Sequence, residues 1–318
     1  MNLPSFLQQA PPGVAVDLAP GRVAVVRVER RAGTATLAGH GVETLPPGAI
    51  TGALGAPNMA DVPLVAAAIG RAAAAAGVRP NRVCLVVPDS IARVSIVKFE
   101  SVPARAADLH ELIKWQVKKT TPFSMDEAVI SHTPGAASAG GHEFIVTVAR
   151  RDVVAQYEQA CELAGAHAGV VDLSTFNVVN AVLAVGRPVA GDWLLVHAAA
   201  TYVSLAVLRD GQLIFYRTRG EESEGSVADL VHQTAMFYED RLQGRQFTRV
   251  LLAGGSTAAG AEQLRQELSA RLALEVSAVD PFQAAPPADR SAMAPALADA
   301  LAPSIGILLR EGAAASSC

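Results

Sequence analysis

A strand–turn–strand pattern occurs twice in this chain, and the repetition constrains its fold more than any other feature. In the first copy, Val14–Leu18 and Val23–Glu29 are β-rich runs around a reversal at Ala19-Pro20-Gly21, with Asp17 at the strand end. In the second, Trp193–Ala198 and Val203–Leu208 flank Ala199-Ala200-Thr201, with His197 at the corresponding strand end. A third strand follows each pair, Thr34–Ala38 after Gly33 and Gln212–Thr218 after Asp210-Gly211, a dipeptide whose tolerance of positive φ marks a hairpin turn. Both halves then run helix–strand. Val62–Ala76 ends at Gly77 and leads to Arg82–Val87, while Val227–Leu242, with Ser226 as N-cap, leads to Arg249–Ala253. The two later strands are unbroken apolar runs, as expected of parallel strands covered on both faces. The class is α/β, built from two similar halves.

With 318 residues, about half of them apolar, the chain can bury two cores. A net charge of −4 implies no bulk attraction to nucleic acid or to anionic lipid. Cys84, Cys161 and Cys318 are scattered and show neither a disulfide framework nor metal-ligand spacing. Met1–Pro12 lacks a basic region followed by an apolar core, so no signal peptide is expected. The longest apolar candidate for a membrane span, Val62–Val78, is mostly alanine and is broken by Arg71. These features predict a cytoplasmic protein, with no direct membrane insertion and any membrane association made through a partner.

Between the halves, residues 91–166 follow another plan. Ala92–Phe99 is a predicted strand, and Arg105–Lys119 a helix with Leu109, Leu112, Ile113 and Val117 on one stripe, stopped before Pro122. Val129–Thr133 and Glu143–Ala149 form a predicted strand pair joined by a mobile loop at Pro134–Gly141, and Asp152–Ala164 is a helix closed by Gly165. This β-α-β-β-α block reads as an inserted subdomain. The expected organisation is a first domain over 13–90 and 167–187, the insertion at 91–166, a second domain over 191–310 and flexible tails at 1–12 and 311–318. Ala168–Leu173 and the helix Phe176–Val185 return the chain to the first domain, and Ala296–Leu309 is the last predicted helix.

Several segments carry a family resemblance through their order and spacing. They are Val86-Val87-Pro88-Asp89-Ser90, Lys114-Trp115-Gln116-Val117 with Thr121-Pro122-Phe123, Val148-Ala149-Arg150-Arg151, Ala164-Gly165 with Val171-Asp172, and Leu252-Ala253-Gly254-Gly255-Ser256. Together with the paired meanders they resemble the actin-like ATPases, and within that group the PilM family of type IV pilus assembly proteins, relatives of FtsA. The resemblance implies a duplicated actin-like (ribonuclease H-like) two-domain fold, with the insertion where PilM and FtsA carry their distinguishing subdomain. Arg219 reaches Ser226 almost at once, which implies a reduced second-half subdomain and a thin wall to any nucleotide cleft.

The same resemblance assigns candidate sites. Asp17 matches the acid of the first phosphate loop, a candidate anchor for hydrated magnesium, with Gly21 beside it. Thr201 lies in the second phosphate loop, and Gly254, Gly255 and Ser256 match the adenosine motif. ATP with magnesium is the cofactor so implied. The loops depart from the pattern: Ala19, Pro20 and Ala24 replace the usual glycine, serine and lysine, and His197 and Ala199 replace aspartate and glycine. Proline has no N–H for a phosphate, and neutral imidazole is a poor magnesium ligand. The packing alternative makes Asp17 the cap of a hairpin turn.

The resemblance further implies a partner, the cytoplasmic N-terminal peptide of a PilN-like inner-membrane protein, together with other inner-membrane platform proteins of the pilus machine. The implied groove has walls at Ile91–Phe99 and Thr120–Ser124, with Ile91, Val97, Phe99, Trp115, Pro122 and Phe123 as candidate contacts and Lys114, Lys118 and Lys119 as a basic patch. The alternative is that Trp115 and Phe123 are simply core, and it is the expected role of at least one of them. Two functions follow: a non-catalytic scaffold, or an active actin-like ATPase or sugar-kinase-like phosphotransferase. An FtsA-like filament former is disfavoured because Gly312–Cys318 cannot make an amphipathic membrane helix, and a type II secretion homologue because no span is expected.

Overall fold

Gly21, at a φ of 84°, reverses the chain so that β1 (Val14–Ala19) folds back on β2 (Arg22–Arg31), and β3 (Thr34–Thr44) completes an antiparallel meander. α1 (Val62–Ala75) then crosses over to β4 (Arg82–Val87), which pairs parallel to β1, and β8 (His167–Leu173) pairs parallel to β4. The strand order is β3-β2-β1-β4-β8. The second half repeats it with β9 (Asp192–Ala198), β10 (Tyr202–Arg209), β11 (Gln212–Gly220), β12 (Arg249–Gly254) and β13 (Val276–Ala278), in the order β11-β10-β9-β12-β13. Matching strand orders establish the duplicated fold expected from the repeated hairpins. The computed structural model describes residues 12–31, 33–138, 140–186, 191–220, 225–255, 258–290 and 293–315. Residues 1–11 of the leader predicted at 1–12, most of the linker (187–190), 221–224 and 316–318 lie outside them.

Local chemistry sets the boundaries. Asp210 and Gly211 take φ values of 50° and 79°, the backbone needed for the β10–β11 hairpin. Asp61 caps α1 by accepting the Leu64 N–H at 2.9 Å. Ser226 and Asp229 form a reciprocal capping box at the start of α5 (Val227–Arg241).

The helices show what periodicity could not. α3 (Arg151–Leu163), which the sequence assigns to the insertion, packs on α1, and its Val153, Tyr157, Ala160 and Cys161 join the core on the outer face of the first sheet. α4 (Ser174–Leu183) leaves β8 yet places Val178 and Val179 against Trp193, Leu195 and Leu251 of the second sheet. Conversely α7 (Pro295–Ala315), at the end of the second half, packs Leu301, Ile305 and Leu308 against Ala24, Val26 and Val86 of the first. The lobes thus exchange helices, and α4 and α7 cross between the sheets. α5 and α6 (Ala258–Leu272) cover the outer face of the second sheet. α7 continues helical to Ala315, beyond the predicted end at Leu309.

The insertion is a sheet of β5 (Ala92–Phe99), β7 (Gly141–Arg150) and β6 (Ala128–Ser138) in the order β5-β7-β6, with α2 (Ala106–Lys118) packed on it. The segment predicted as a mobile loop at Pro134–Gly141 mostly continues the β6–β7 ladder, out to Ser138 opposite Gly141, with a register shift between Pro134 and Ala137. Ala139 lies outside the described residues.

Candidate functional site

The ends of β1, β4, β9 and β12 converge between the lobes. At the first hairpin, Asp17 is buried, and its Oδ2 accepts a hydrogen bond from Arg22 Nη2 at 2.8 Å. Burial pushes its carboxyl above the ordinary range, and Arg22 opposes that shift without cancelling it. Arg22 also donates to the Ala300 carbonyl of α7 at 3.4 Å. Gly21 is exposed and serves the turn's positive φ. The Thr201 hydroxyl is buried without a hydrogen-bond partner.

Gly254 and Gly255 adopt positive φ because β12 must pass close to β9 and α6. A Cβ at Gly254 would lie 2.2 Å from the Ala198 carbonyl oxygen, and one at Gly255 2.6 Å from Ala261 Cβ. Their N–H groups are already committed, Gly254 to Asp299 Oδ1 at 3.1 Å and Gly255 to the Ala198 oxygen at 2.8 Å. Ser256 lies outside the described residues.

The most densely bonded group at this junction is Asp89, in a 3-10 turn directly after β4 and fully buried. α4 has no side-chain cap at Leu173, and Asp89 supplies one across the chain: its Oδ1 accepts the Thr175 N–H at 3.0 Å. Its Oδ2 accepts from the Thr175 hydroxyl and, at 2.7 Å, from Ser204 Oγ of β10. Thr175 Oγ1 lies 2.7 Å from His197 Nδ1, and Ser204 Oγ lies 2.9 Å from Thr218 Oγ1 and 3.4 Å from the Tyr216 hydroxyl. Each hydroxyl has one hydrogen to give. Since Thr175 and Ser204 give theirs to Asp89, His197 Nδ1 must donate to Thr175, and Thr218 to Ser204. Burial pushes the Asp89 carboxyl up, but the His197 imidazole 3.8 Å away and the hydrogen bonds from Thr175 outweigh it and hold it below the ordinary range. Sequence reasoning missed this centre, although Asp89 stands in the Val86–Ser90 segment. A charged residue just beyond the apolar run Val83–Val87 was the available signal.

The predicted partner-groove residues do not converge on one surface. Ile91 sits in the first core, and Val97, Phe99 and Phe123 pack with Ile113, Val117 and Phe144 beneath α2. Pro122 is exposed. Trp115 is 59% exposed, with Lys119 Nζ 4.9 Å from its ring centre. Beside β5 there is a cavity of about 430 Å³, walled by Ala92–Val94 on one side and Tyr216–Thr218 of β11 on the other, with Ser90 and Gly52 between them. β5 and β11 are both edge strands of their sheets, and Ser90 Oγ is buried without a hydrogen-bond partner.

A sequence model of the family described as type IV pilus assembly protein PilM matches residues 15–223, more than half of the chain. The chain belongs to the PilM family. Among solved structures, a PilM–PilN type IV pilus biogenesis complex contains a chain of 16% identity that superposes with a TM-score of 0.78, covering 96% of this chain and 99% of that one. The cytoplasmic domain of EpsL, an inner-membrane component of the Vibrio cholerae type II secretion system, aligns at 11% identity with a TM-score of 0.48 over 96% and 95% of the two chains. A Bacteroides thetaiotaomicron protein with an actin-like ATPase fold aligns at 8% identity with a TM-score of 0.47 over 85% and 92%. No curated relative matches the sequence.

The resemblance of the sequence to actin-like ATPases implies a magnesium-bound nucleotide held by the residues of the two hairpin turns. They do not fit one. A hydrated magnesium ion needs ionised oxygen ligands that face water, and Asp17 is buried and paired with Arg22. The opposing turn offers His197, whose Nδ1 is engaged by Thr175. Among the described residues, no group of three or more His, Cys, Asp or Glu side chains is placed to hold a metal ion. In this PilM-family chain the Gly254-Gly255 turn packs strand against strand rather than presenting free amides.

Proposed function

We propose that this protein is a non-catalytic scaffold of a type IV pilus assembly machine, and that it grips the cytoplasmic N-terminal peptide of a PilN-like inner-membrane protein. Family membership supports the setting. The observation that carries the binding mode is the cavity between two edge strands, β5 and β11, with Ser90 also in its lining. An extended peptide can hydrogen-bond to such an edge through its main chain while its side chains enter the cavity. Tethering through the peptide would place the protein on the cytoplasmic face of the inner membrane, beside the other platform proteins. No helix among the described residues is long and apolar enough to cross a membrane itself.

ATP with magnesium is not part of this reading. His197 stands where the second acid of an actin-like ATPase would be, and the phosphate turns serve as structure. The proposed groove differs from the one inferred from the resemblance. Its first wall is the start of β5, and its second is β11 rather than Thr120–Ser124. Calorimetry with the N-terminal peptide of a PilN-like protein tests the reading. Binding is expected, and Arg93→Trp, at the exposed rim of the cavity, is expected to weaken it about tenfold or more. Absence of both heat and competition, or unchanged binding by Arg93→Trp, would overturn it.

A further inference from the structure

Asp89 and its partners join three separate parts of the chain: the end of β4, the start of α4, and the β9–β10–β11 meander of the second lobe. Direct donors to the carboxylate come from Thr175 and Ser204, and a second layer of His197, Thr218 and Tyr216 points its hydrogens at those donors. All polarity in the cluster runs toward one buried anion, and bonds ordered in this way reinforce one another. The cluster lies between the two hairpin turns, the place where the resemblance puts a metal-bound nucleotide. Most residues that would have faced such a ligand are satisfied from within: Asp17 by Arg22, Gly254 by Asp299, Gly255 and Ala198 by each other, and Ala199 by Tyr202, the buried Thr201 hydroxyl being the exception.

We propose that this polar clamp, centred on Asp89 and closed by Thr175, His197 and Ser204, takes over the role of a bound nucleotide and holds the two lobes together without any ligand. The same strand that closes the clamp, β11, supplies Tyr216 and Thr218 to the far wall of the β5–β11 cavity. The clamp therefore also sets the width of that cavity. This last step rests on the peptide reading of the cavity, whereas the clamp does not.

The test is hydrogen–deuterium exchange of the full chain, with and without saturating Mg-ATP, read at Leu173–Val179, His197–Ser204 and Tyr216–Thr218. The wild-type protein is expected to protect these segments equally in both conditions. Asp89→Asn is expected to raise their exchange about tenfold, while Asp61→Ala, which uncaps the distant α1, leaves them unchanged. Ser204→Ala, which removes one donor to Asp89 together with the acceptor of Thr218 and Tyr216, is the second variant should Asp89→Asn not fold, and it is expected to act in the same direction. Two results overturn the proposal: slowing of exchange by Mg-ATP in the wild type that Asp17→Ala abolishes, or wild-type exchange in the folded clamp variants. Neither readout involves peptide binding, so failure of the clamp and failure of the groove are separable.

Discussion

Gly306 of α7 lies under the backbone of α4 where the exchanged helices cross. A Cβ at this position would sit 1.7 Å from the Asn177 carbonyl oxygen, 2.6 Å from its carbonyl carbon and 3.1 Å from the Ala181 nitrogen. Ordinary contact begins at 3.4 Å, so Gly306→Ala forces the helices apart, and the obstacle is backbone rather than a side chain able to swing away. Overpacking of a core costs about 1–3 kcal/mol, and a backbone obstacle puts this case near ~3. Replacing glycine by alanine within a helix returns about 1 kcal/mol. The net expectation is a loss of about 2 kcal/mol. Displacing α4 also moves Thr175, a half-turn before Asn177, away from Asp89. Gly70 provides the control. It is exposed in α1, with no atom within 4 Å of its would-be Cβ, so Gly70→Ala is expected to gain up to about 1 kcal/mol. Urea denaturation midpoints of both variants against wild type give the comparison. A Gly306→Ala protein as stable as wild type would refute the helix-crossing geometry.

Asp17 and Asp89 should respond oppositely to neutralisation. The folded pKa of Asp89 is depressed, so its contribution is full above the ordinary value of 3.8 and is lost as pH falls through the lower folded value. Asp17 is raised, so its contribution is present below 3.8 and is lost as pH rises through the folded value. At pH 7, Asp89→Asn should therefore cost about 1.5–3 kcal/mol of charge-assisted hydrogen bonding, while Asp17→Asn should be neutral or stabilising; equal losses by denaturant titration would contradict the pair of assignments. Ser226→Ala should cost about 1 kcal/mol by opening the capping box of α5, with exchange rising at residues 227–230 but not in α1. Trp115→Ala should change stability by less than about 0.5 kcal/mol, and it should remove the red-shifted part of the tryptophan emission, since Trp193 is fully buried; an unchanged spectrum would mean that Trp115 is covered.

The local elements were legible because their causes are local. Asp210-Gly211 turns at positive φ, Ser226 caps α5, Gly77 ends α1 at a φ of 66°, and the apolar run 82–87 became a strand with parallel neighbours on both sides. The duplicated hairpins foretold the duplicated sheets. Legibility failed where a residue's partner lies far along the chain. The apolar stripe of Val178 and Val179 announces burial without saying which sheet buries it, and α4 went to the second lobe. Phe99 and Phe123 were candidate contacts, Phe123 also a candidate core residue, and both lie partly buried against the cluster beneath α2, because an aromatic side chain fits either role.

Periodicity, turn chemistry and a repeated hairpin are properties of neighbours in sequence, and from them this chain's two α/β halves could be read in advance. The exchange of α4 and α7, the burial of Asp17 under Arg22 and the gathering of donors onto Asp89 arose only in three dimensions. Desolvation and hydrogen bonding depend on what surrounds a group, and the surroundings of Asp89 come from Thr175, His197 and Ser204, residues that no local pattern connects to it.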